Sequence, residues 1–474
     1  MAYSLLTSTL LNTFDKMHQS IRYTLLFFAL IKLQINYAQT GKLALNFGNN
    51  GVIITDLQQS TDYASAITMD KSGNVLVAGT TEKGYDTGKQ VFVAQYNNRG
   101  QLQTNFGKNG KILIPVAHQI RITKIMMQYD GKILIGGTAN EKDKSAEFFI
   151  LRLLADGTPD KTFGINGLAK SKFAVAYVTT KSNYILNDFD LDFYNNIIAV
   201  GANNSSMLDQ ITIIKFTPSG IIDENFLFEG MYVGSFPITN SNNKNVINNS
   251  CTATKVVALS NGTYLVGGTQ YMSNANSAYE NFTVQRILSN GTADTTFNYG
   301  KAFSGGFDDA SDELSDIMVN ANGNYILAGT TDRGDQDFGC MALNKMGFLD
   351  YSAFGDVSKK YGITGKTQTG FAKKTNQEAV SSVMLPDGKF VVVGKGGNIE
   401  EEIVIARYLP NGQLDNTFGE EGKTTFTPAG LTNDDLFDIY KAVLDYEGNL
   451  LIVGWLSSKN SSTSADIFIV AFTL

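Results

Sequence analysis

The 474-residue chain contains little histidine, cysteine and proline, and each scarcity excludes a class of protein or site. Two cysteines cannot build a disulfide scaffold. The two histidines, His18 and His118, cannot supply a zinc site that needs several His or Cys ligands. His18 lies in the N-terminal segment, so a Ser-His-Asp or Cys-His catalytic site would depend on His118 alone. Seven prolines fit a chain in which most backbone N–H groups donate to β-ladders.

Charged residues are also scarce, at 18% of the chain, against roughly 25% in an ordinary globular domain. The formal net charge of −7 argues against the electrostatics of a nucleic-acid-binding protein. The hydrophobic fraction of 43% is ample for a large core. We therefore expect a well-packed fold whose partners are not nucleic acids.

The first 38 residues stand apart from the rest of the chain. Arg22 precedes the apolar run YTLLFFALI (23–31), which ends at Lys32. This run is too short to span a bilayer, which takes about 20 residues. It is typical of a secretory signal with cleavage after Ala38. We predict an exported protein (periplasmic, cell-surface or secreted) with no transmembrane segment in the mature chain; the alternative is an irregular N-terminal helix.

Residues 39–474 are predicted to form a single domain of seven repeats of about 60 residues. The residues that open one recurring turn are separated by between 58 (Gly73 to Gly131) and 67 (Asn195 to Gly262) positions. The strand after each turn lacks polar–apolar alternation, which predicts burial on both faces. Small residues at its end indicate that another backbone comes close. Six residues after each opener stands a glycine: Gly79, Gly137, Gly201, Gly268, Gly329, Gly394 and Gly454.

Each repeat is interpreted as four strands, which in the first repeat lie near residues 51–55, 64–70, 74–79 and 91–96. Seven four-stranded units, buried on both faces, predict an all-β fold, a seven-bladed β-propeller of antiparallel blades. A β-sandwich would show strands with alternating polarity. A parallel β-helix would need a much shorter repeat.

A second recurring block, Leu-Asp-x-Thr-Phe-Gly, follows the last strand of most units. The final unit ends without it, and the block appears instead at the other end of the chain, in TGKLALNFGNNG (40–51). We therefore predict that the N- and C-terminal segments lie side by side and close the ring, since an open array would have capping repeats. The phenylalanine is predicted to fill the seam between blades. It recurs as Phe47, Phe106, Phe163, Phe226, Phe297, Phe354 and Phe418.

Two polar columns accompany the block. One is its aspartate, for which an Asx-type turn is predicted; it recurs as Asp160, Asp223, Asp294, Asp350 and Asp415. The other is a long side chain in the preceding strand, at Gln95, Arg152, Lys215, Arg286 and Arg407. If that strand lined the channel, the column could bind an anion. If it lies outward, the side chains form inter-blade pairs, for example with Glu147 or Glu402, and this is the interpretation we favour.

The succession DGK-apolar-VG, ARY, NGQLDNTFG and GK resembles the delta-60 repeat family, a bacterial β-propeller repeat. The resemblance covers about residues 40–474 and is most specific in residues 129–164 and in the sixth unit. It implies a propeller, usually in exported or surface proteins, and it implies no catalytic residues. The third unit departs most, because YNNIIAVG lacks the Asp-Gly turn and ENFLFEG lacks the glycine after phenylalanine.

Acidic clusters offer a weak case for Ca²⁺, which prefers hard oxygen ligands. They lie at residues 307–313, 331–337, 399–403 and 432–438. Asp332, Asp335 and Asp337 are the metal candidates, although they lack EF-hand spacing, and solvated loop charge is the favoured interpretation. No other cofactor is predicted. Cys340, within an apolar strand, is predicted to be a buried thiol, with a Cys251–Cys340 bridge as the alternative.

Function is predicted less sharply than fold. Insertions at residues 226–250 and 358–377 are the places where repeat proteins often carry function. Trp455 and the tyrosines could stack on sugars or belong to the core. We predict a non-enzymatic propeller that binds a protein or glycan through one face. The alternative is a secreted metal-assisted hydrolase or lyase that uses loop carboxylates near the channel; a third possibility is a purely structural envelope component.

Overall fold

The structure is a computed structural model that describes residues 40–57, 59–82, 88–141, 145–171, 183–204, 209–227, 229–236, 250–273, 278–307, 311–358, 362–371, 376–397, 402–428, 436–457 and 465–474. The predicted signal segment and His18 lie outside the described residues. Residues Gly41–Leu474 form one compact unit.

Thirty strands and one helical turn make up the described secondary structure. In chain order the strands are β1 (Val52–Thr55), β2 (Thr61–Met69), β3 (Val75–Glu82), β4 (Gln90–Tyr96), β5 (Lys111–Pro115), β6 (Gln119–Met127), β7 (Ile133–Asn140), β8 (Glu147–Leu153), β9 (Leu168–Lys170), β10 (Asn183–Leu191), β11 (Ile197–Asn204), β12 (Asp209–Phe216), β13 (Met231–Gly234), β14 (Cys251–Ala258), β15 (Tyr264–Ser273), β16 (Ala278–Ile287), β17 (Phe303–Gly305), β18 (Ser311–Val319), β19 (Tyr325–Asp332), β20 (Gln336–Leu343), β21 (Val357–Ser358), β22 (Gly362–Ile363), β23 (Lys366–Thr369), β24 (Asn376–Met384), β25 (Phe390–Gly397), β26 (Glu402–Tyr408), β27 (Lys423–Phe426), β28 (Leu436–Leu444), β29 (Leu450–Ser457) and β30 (Asp466–Phe472). A 3₁₀ turn covers Asn298–Gly300. Within the described residues, no helix has the length and apolar character needed to cross a membrane.

The strands form seven four-stranded antiparallel sheets, so the predicted seven-bladed β-propeller is confirmed. We name the blades A to G around the ring and give their strands from the channel outward. They are A (β2-β3-β4-β5), B (β6-β7-β8-β9), C (β10-β11-β12-β13), D (β14-β15-β16-β17), E (β18-β19-β20-β23), F (β24-β25-β26-β27) and G (β28-β29-β30-β1). The short hairpin β21–β22 lies outside the blades.

The ring is closed by the N-terminal strand. β1 pairs with β30 in the register Val52↔Val470, and Gly41 N donates to Thr473 O at 2.7 Å. The predicted contact between the two ends of residues 40–474 is therefore present. The predicted grouping of residues 51–55 with the first repeat is wrong, because this strand is the outermost strand of blade G. The tight turn of each Phe-Gly block folds the following strand back onto the preceding one, so each sequence repeat straddles two blades.

The hydrophobic core lies in the seven seams between adjacent blades. Each of seven clusters of buried side chains joins one blade to the next, as Phe148 of blade B and Phe216 of blade C do in one of them. The second strand of a blade is covered on both sides; β3, for instance, is buried from Val75 to Thr81. This double coverage explains why the second strands are apolar without alternation, and burial of so much apolar surface is the main stabilising term.

Candidate functional site

The innermost strand of every blade contains a β-bulge at the same place. The bulge lies three or four residues after the first residue of the strand. We call the end of the channel at which the innermost strands begin its mouth. The bulged residues are Ser65, Thr123, Asn187, Thr254, Ser315, Val380 and Tyr440. A bulge re-aims a side chain relative to the ladder, and here it turns a column of side chains toward the neighbouring blade.

In blades A to E the bulged side chain ties its strand to the next innermost strand. Each donates a hydrogen bond to the carbonyl oxygen of the residue just before the next bulge, at 2.6–2.9 Å. The pairs are Ser65 to Ile122, Thr123 to Leu186, Asn187 to Ala253, Thr254 to Leu314, and Ser315 to Ala379. We call this run of bonds the inner belt.

A second column reinforces the belt from the second strands. In blades B, D and E the threonine that follows the recurrent glycine accepts a hydrogen bond from a backbone N–H of the next blade. Thr138 accepts from Leu186 at 2.9 Å, Thr269 from Leu314 at 3.0 Å, and Thr330 from Ala379 at 2.9 Å. Both columns thus have a structural role that recurs in several blades, the belt in blades A to E and the threonine bond in blades B, D and E.

Blades F and G depart from both columns. The bulged residues are Val380 and Tyr440, neither of which has the short hydroxyl or amide of the other blades. The residues after the glycine are Lys395 and Trp455 in place of threonine. Blade C also lacks the threonine, with the small Ala202 at this position, but it keeps the belt residue Asn187. The four substitutions lie on adjacent blades, so unusual side chains are concentrated on one side of the channel mouth.

These side chains contact one another and blade A. The Trp455 ring meets Tyr63 edge-on, with ring centroids 5.3 Å apart, and its Nε1 donates to Tyr440 Oη at 3.2 Å. Lys395 Nζ lies 2.8 Å from Asp438 Oδ1 and 3.8 Å from Glu378 Oε2. Burial, and then the neighbouring Asp438, raise the pKa of Tyr440 to about 12, so its hydroxyl stays protonated as a donor at neutral pH.

The aromatic group opens onto a cavity of about 850 Å³ at the centre of the ring. Innermost strands of all seven blades line it, together with Thr80, Lys395 and Trp455 of second strands and Lys89, which precedes β4. Six basic but only three acidic side chains belong to this lining: Lys89, Arg121, Lys124, Lys255, Lys395 and Lys441 against Asp188, Glu378 and Asp438. The cavity is therefore locally cationic in a chain whose formal net charge is −7.

Alternating charges surround the channel beside this cavity, and each residue that carries one, except Asp316, belongs to the cavity lining. One residue beyond the bulge, blades B, C, D, E and G carry Lys124, Asp188, Lys255, Asp316 and Lys441. Lys124 lies 2.9 Å from Asp188, Lys255 lies 3.5 Å from Asp188 and 2.9 Å from Asp316, and Lys441 lies 3.4 Å from Asp316. We call this arc the charged ring. It has one more cation than anion.

The ring holds its charges by mutual pairing. Burial alone would raise the pKa of Asp188 and of Asp316, but the neighbouring lysines lower both. The two aspartates raise the pKa of Lys255 against the effect of its burial. Lys441 differs, since burial, together with the charges of Lys255 and Lys124, lowers its pKa despite Asp316. The charge of Lys441 is thus less compensated than that of Lys255.

The basic column predicted from sequence lies in the third strand, outside the channel, so the anion-binding alternative for it is wrong. Its carboxylate partner is the aspartate of the block rather than Glu147 or Glu402. The distances are 2.9 Å for Arg152–Asp160, 3.2 Å for Lys215–Asp223, 2.7 Å for Arg286–Asp294 and 2.9 Å for Arg407–Asp415. We call these the staple pairs. Asp160 also forms the predicted Asx turn, accepting from Thr162 N at 3.0 Å.

The recurrent phenylalanines and glycines occupy the seams and the inner ladder. All seven phenylalanines of the block are at most 4% exposed, and the rings of Phe163, Phe297 and Phe354 lie against a hairpin glycine of the next blade. A Cβ on any of the seven recurrent glycines would overlap the carbonyl oxygen of a residue in the innermost strand, as with Glu313 O at Gly329. These residues shape the blades and do not line the cavity.

The calcium candidates do not converge. Asp332 accepts the N–H of Gly334 in its own turn, Asp337 accepts from Gln368 Nε2 at 2.7 Å, and Asp335 is exposed. Among the described residues, the acidic group with metal-ligand spacing is Asp56, Asp62 and Asp466 instead. Asp62 is committed to the local fold, because it accepts from Leu57 N at 2.7 Å and Ser60 Oγ at 2.9 Å. Residues 308–310, 399–401 and 432–435 of the other clusters lie outside the described residues.

The other residues singled out from the sequence lie away from the cavity. Cys251 and Cys340 are both buried and free, so the bridge is wrong and the buried thiol is confirmed. His118 lies in the connection after β5, where its carbonyl oxygen accepts from Lys89 N at 3.3 Å. Of the two insertions, residues 228, 237–249, 359–361 and 372–375 lie outside the described part of the chain.

The inner belt and the charged ring were missed by sequence reasoning, although a signal for them exists. Each bulged residue stands eight positions before the turn opener, and each threonine-column residue stands seven positions after it. Reading these two columns would have isolated Val380, Tyr440, Lys395 and Trp455, together with the small Ala202, as departures.

Comparisons with known proteins find solved structures that are similar to this chain at low sequence identity. No curated protein matches the sequence. Similar solved structures include polysaccharide lyase Uly1 (12% identity, 86% of this chain and 90% of that chain, TM-score 0.49). They also include a protein of unknown function from Dyadobacter fermentans (10%, 90% and 98%, TM-score 0.44). A third is a catalytically inactive virginiamycin B lyase from Staphylococcus aureus with quinupristin (11%, 89% and 99%, TM-score 0.44).

The sequence itself matches one family. Residues 128–163, 259–297 and 385–418 match the family described as "Domain of unknown function (DUF5122) beta-propeller". Each matched segment runs from the first hairpin of a blade to the buried phenylalanine of the block, and the match therefore supports a bacterial β-propeller repeat family.

Proposed function

We propose that the protein is an exported, non-enzymatic propeller of the delta-60 repeat type that binds an acidic glycan at the mouth of its channel. The observation that carries the proposal is the departure of blades F and G from the inner belt and the threonine column. Side chains that tie the innermost strands together elsewhere are replaced there by Tyr440, Lys395 and Trp455. Departure from a local structural rule is expected where function replaces stability as the constraint.

The chemistry of these side chains suits a sugar. Aromatic rings bury the apolar face of a ligand while their polar atoms remain available, and Tyr63, Tyr440 and Trp455 stand together at the mouth. Lys395, Asp438 and Glu378 provide a donor and two acceptors beside them. The excess of basic side chains in the cavity favours a glycan with carboxylate or sulfate groups. The cavity volume falls in the range of ordinary ligand sites.

The enzyme alternative has no specific observation in its favour. Among the described residues, the acidic group with metal-ligand spacing is Asp56, Asp62 and Asp466, and none of these lines the central cavity. Glu378 and Asp438 are held by Lys395. We therefore give the mouth a binding role.

The test exploits the single tryptophan, since any ligand-induced change in tryptophan fluorescence reports on Trp455. Oligogalacturonate, a heparin-derived hexasaccharide and neutral maltohexaose are titrated into the protein. We expect at least one of the two acidic saccharides to change the fluorescence saturably, with affinity falling as salt rises, and maltohexaose to have at least tenfold lower affinity.

Matched variants locate the binding by calorimetry. Trp455→Ala and Lys395→Ala should each weaken binding at least tenfold. Tyr446→Ala removes an exposed tyrosine from the opposite face and should leave the affinity unchanged. Affinity for neither acidic saccharide, or affinity that survives both mouth substitutions, would contradict the proposal.

A further inference from the structure

A second cavity lies at the seam between blades A and B, where the repeat lacks a staple pair. In the seam between blades B and C, the Arg152 guanidinium pairs with Asp160 and also donates to Pro218 O of the next blade at 2.6 Å. Lys215 reaches Ser289 O at 3.0 Å, and Arg286 reaches Lys345 O at 2.7 Å, in the same manner. A basic side chain of the chain itself therefore fills this position in those seams.

Blade A carries Gln95 and Gln103 in place of the cation and the aspartate. Gln95 Nε2 donates to Asp70 Oδ2 of its own blade at 3.2 Å. In blade E, where Ala342 replaces the cation, the Phe390 ring of the next blade stacks on Phe354 with centroids 6.2 Å apart. Two residues after its own turn opener, blade B has the smaller Ile133 where blade F has Phe390. The seam between A and B thus lacks this replacement as well.

A cavity of about 490 Å³ occupies this position. Its inner part is lined by apolar side chains, Met69, Leu76, Met127 and Ile133. Ala155, which also lines it, stands in the turn of blade B where blade C has Pro218, the acceptor for Arg152. The cavity therefore has an apolar wall suited to an aliphatic stem. It also has, at Ala155, the counterpart of the turn of blade C that accepts the Arg152 guanidinium.

A buried acceptor lies in the wall of the same space. Gln128 lines the cavity and is 6% exposed, and within the described part of the chain its Oε1 has no hydrogen-bond donor. A buried polar atom left without a partner is destabilising, so the site is incomplete as it stands. The missing group is a donor.

The rim is aromatic. Tyr129 and Tyr446 are 86% and 67% exposed, and both line the cavity. Lys71 Nζ lies 3.6 Å from the centroid of the Tyr129 ring, so this rim already holds one cation against an aromatic face. Tyr446 Oη donates to Asp70 O at 2.9 Å, which fixes the second ring at the other side. Guanidinium groups stack on such rings.

We propose that this cavity receives an arginine side chain of a partner protein. This arginine takes the place that the chain's own Arg152 takes in the seam between blades B and C. The aliphatic stem packs against Met127 and Ile133, and the guanidinium donates to Gln128 Oε1 beside Ala155. The site faces the hairpins that join the first two strands of each blade, the end of the ring opposite to the channel mouth. It is thus separate from the glycan site.

The test compares two peptides that differ in charge but little in shape. Acetyl-Gly-Arg-Gly-amide and its citrulline counterpart are titrated into the full chain by calorimetry. A single anchoring side chain should give a dissociation constant in the millimolar range for the arginine peptide, and at least tenfold weaker binding for citrulline. Lys71→Glu should tighten the arginine peptide several-fold, because it removes a like charge and adds an opposite one.

The control restores the staple. Gln95→Arg with Gln103→Asp should fill the cavity with the chain's own guanidinium and weaken the peptide at least tenfold, while fluorescence titration at Trp455 is unchanged. Gln128→Leu, which removes the unpartnered oxygen without a large change of shape, should also weaken it and should not lower the unfolding midpoint. Equal binding of the citrulline peptide, weaker binding in Lys71→Glu, or undiminished binding in both the restored-staple and the Gln128→Leu variants would overturn the proposal.

Discussion

Lys255 Nζ lies 2.9 Å from Asp316 Oδ1 in the wall of the channel, and the two residues occupy the same position of adjacent blades. Lys255 also pairs with Asp188, so one ammonium group compensates two buried carboxylates. Removing one partner of a buried pair leaves an uncompensated charge, which typically costs 3–5 kcal/mol. We expect Lys255→Met to lower the free energy of unfolding by about 3–5 kcal/mol at pH 7.

Urea denaturation measures this loss. Lys108→Met, at an exposed position of the turn after Phe106, serves as control and should change the free energy of unfolding by less than about 0.5 kcal/mol. Equal stability of Lys255→Met and Lys108→Met would show that the charged ring does not hold the innermost strands together.

The staple pair of blade F makes stability depend on acid pH. Burial acts to raise the pKa of Asp415, but hydrogen bonds from Thr417 and Lys389 and the charge of Arg407 lower it to about 2, from 3.8 for a free side chain. Because the folded-state pKa lies below the unfolded value, the carboxylate stabilises the fold fully above about pH 4 and loses this effect as the pH falls to 2. Asp415→Asn should therefore be less stable than the parent at pH 7, and the difference should shrink between pH 4 and pH 2.

Blade E provides the matched control for this pH dependence. Asp350 occupies the place of Asp415, but Ala342 replaces the arginine. Asp350→Asn should show a smaller difference from the parent across the same pH range. Thermal unfolding recorded at intervals from pH 7 to pH 2 gives both curves, and superimposable curves for the two variants would contradict the role assigned to Arg407.

The propeller and its closure were predictable because they depend on spacing and polarity. Seven turn openers at a regular distance, apolar second strands and the displaced Phe-Gly block at residues 40–51 are each visible in the sequence. The assignment of strands to blades was not, since the sequence repeat begins at residue 51 while the blade begins at Thr61. The sequence alone does not show which strand the first strand of a repeat pairs with, and here β1 pairs with β30.

The candidate site was hidden for a different reason. The bulged column is occupied by serine, threonine and asparagine in blades A to E, which look like ordinary strand residues until the inner belt shows their common bond. Only then do Val380 and Tyr440 stand out. The partners of the basic column could not be chosen either, because the pairing of Arg407 with Asp415 follows from the turn of the block and not from sequence distance.

Replacing Tyr440 by threonine should raise stability and weaken binding. Threonine at this position can donate to Ala64 O, as Thr123 donates to Leu186 O in blade B. A neutral hydrogen bond of this kind contributes about 0.5–1.5 kcal/mol, so Tyr440→Thr is expected to raise the free energy of unfolding by up to this amount. The same change removes the acceptor of Trp455 Nε1 and an aromatic wall of the mouth, and it should weaken the acidic glycan.

Denaturation and calorimetry on the same preparation separate the two effects. Val380→Thr is the companion change, because it also restores a belt donor but removes no aromatic ring. It should stabilise the protein while binding is retained. Loss of stability in both variants would show that the inner belt cannot be extended through blades F and G.

The closure of blade G should permit the chain to be reconnected elsewhere. Gly41 N lies 2.7 Å from Thr473 O, and Thr473 N donates to Lys42 O at 2.8 Å, so a few glycine and serine residues can join Leu474 to Thr40. New ends can be placed in the connection at residues 116–118 between blades A and B. Because the joined strands and every seam are kept, we expect this permutant of residues 40–474 to retain its β-sheet circular dichroism and a thermal unfolding midpoint within a few degrees of the parent.

Deleting residues 40–55 instead removes β1 and the buried Phe47 and Ile53, exposes the edge of β30, and should cause aggregation. A deletion variant as soluble and stable as the permutant would show that β1 is dispensable and that the ring is closed by the seam between blades G and A alone.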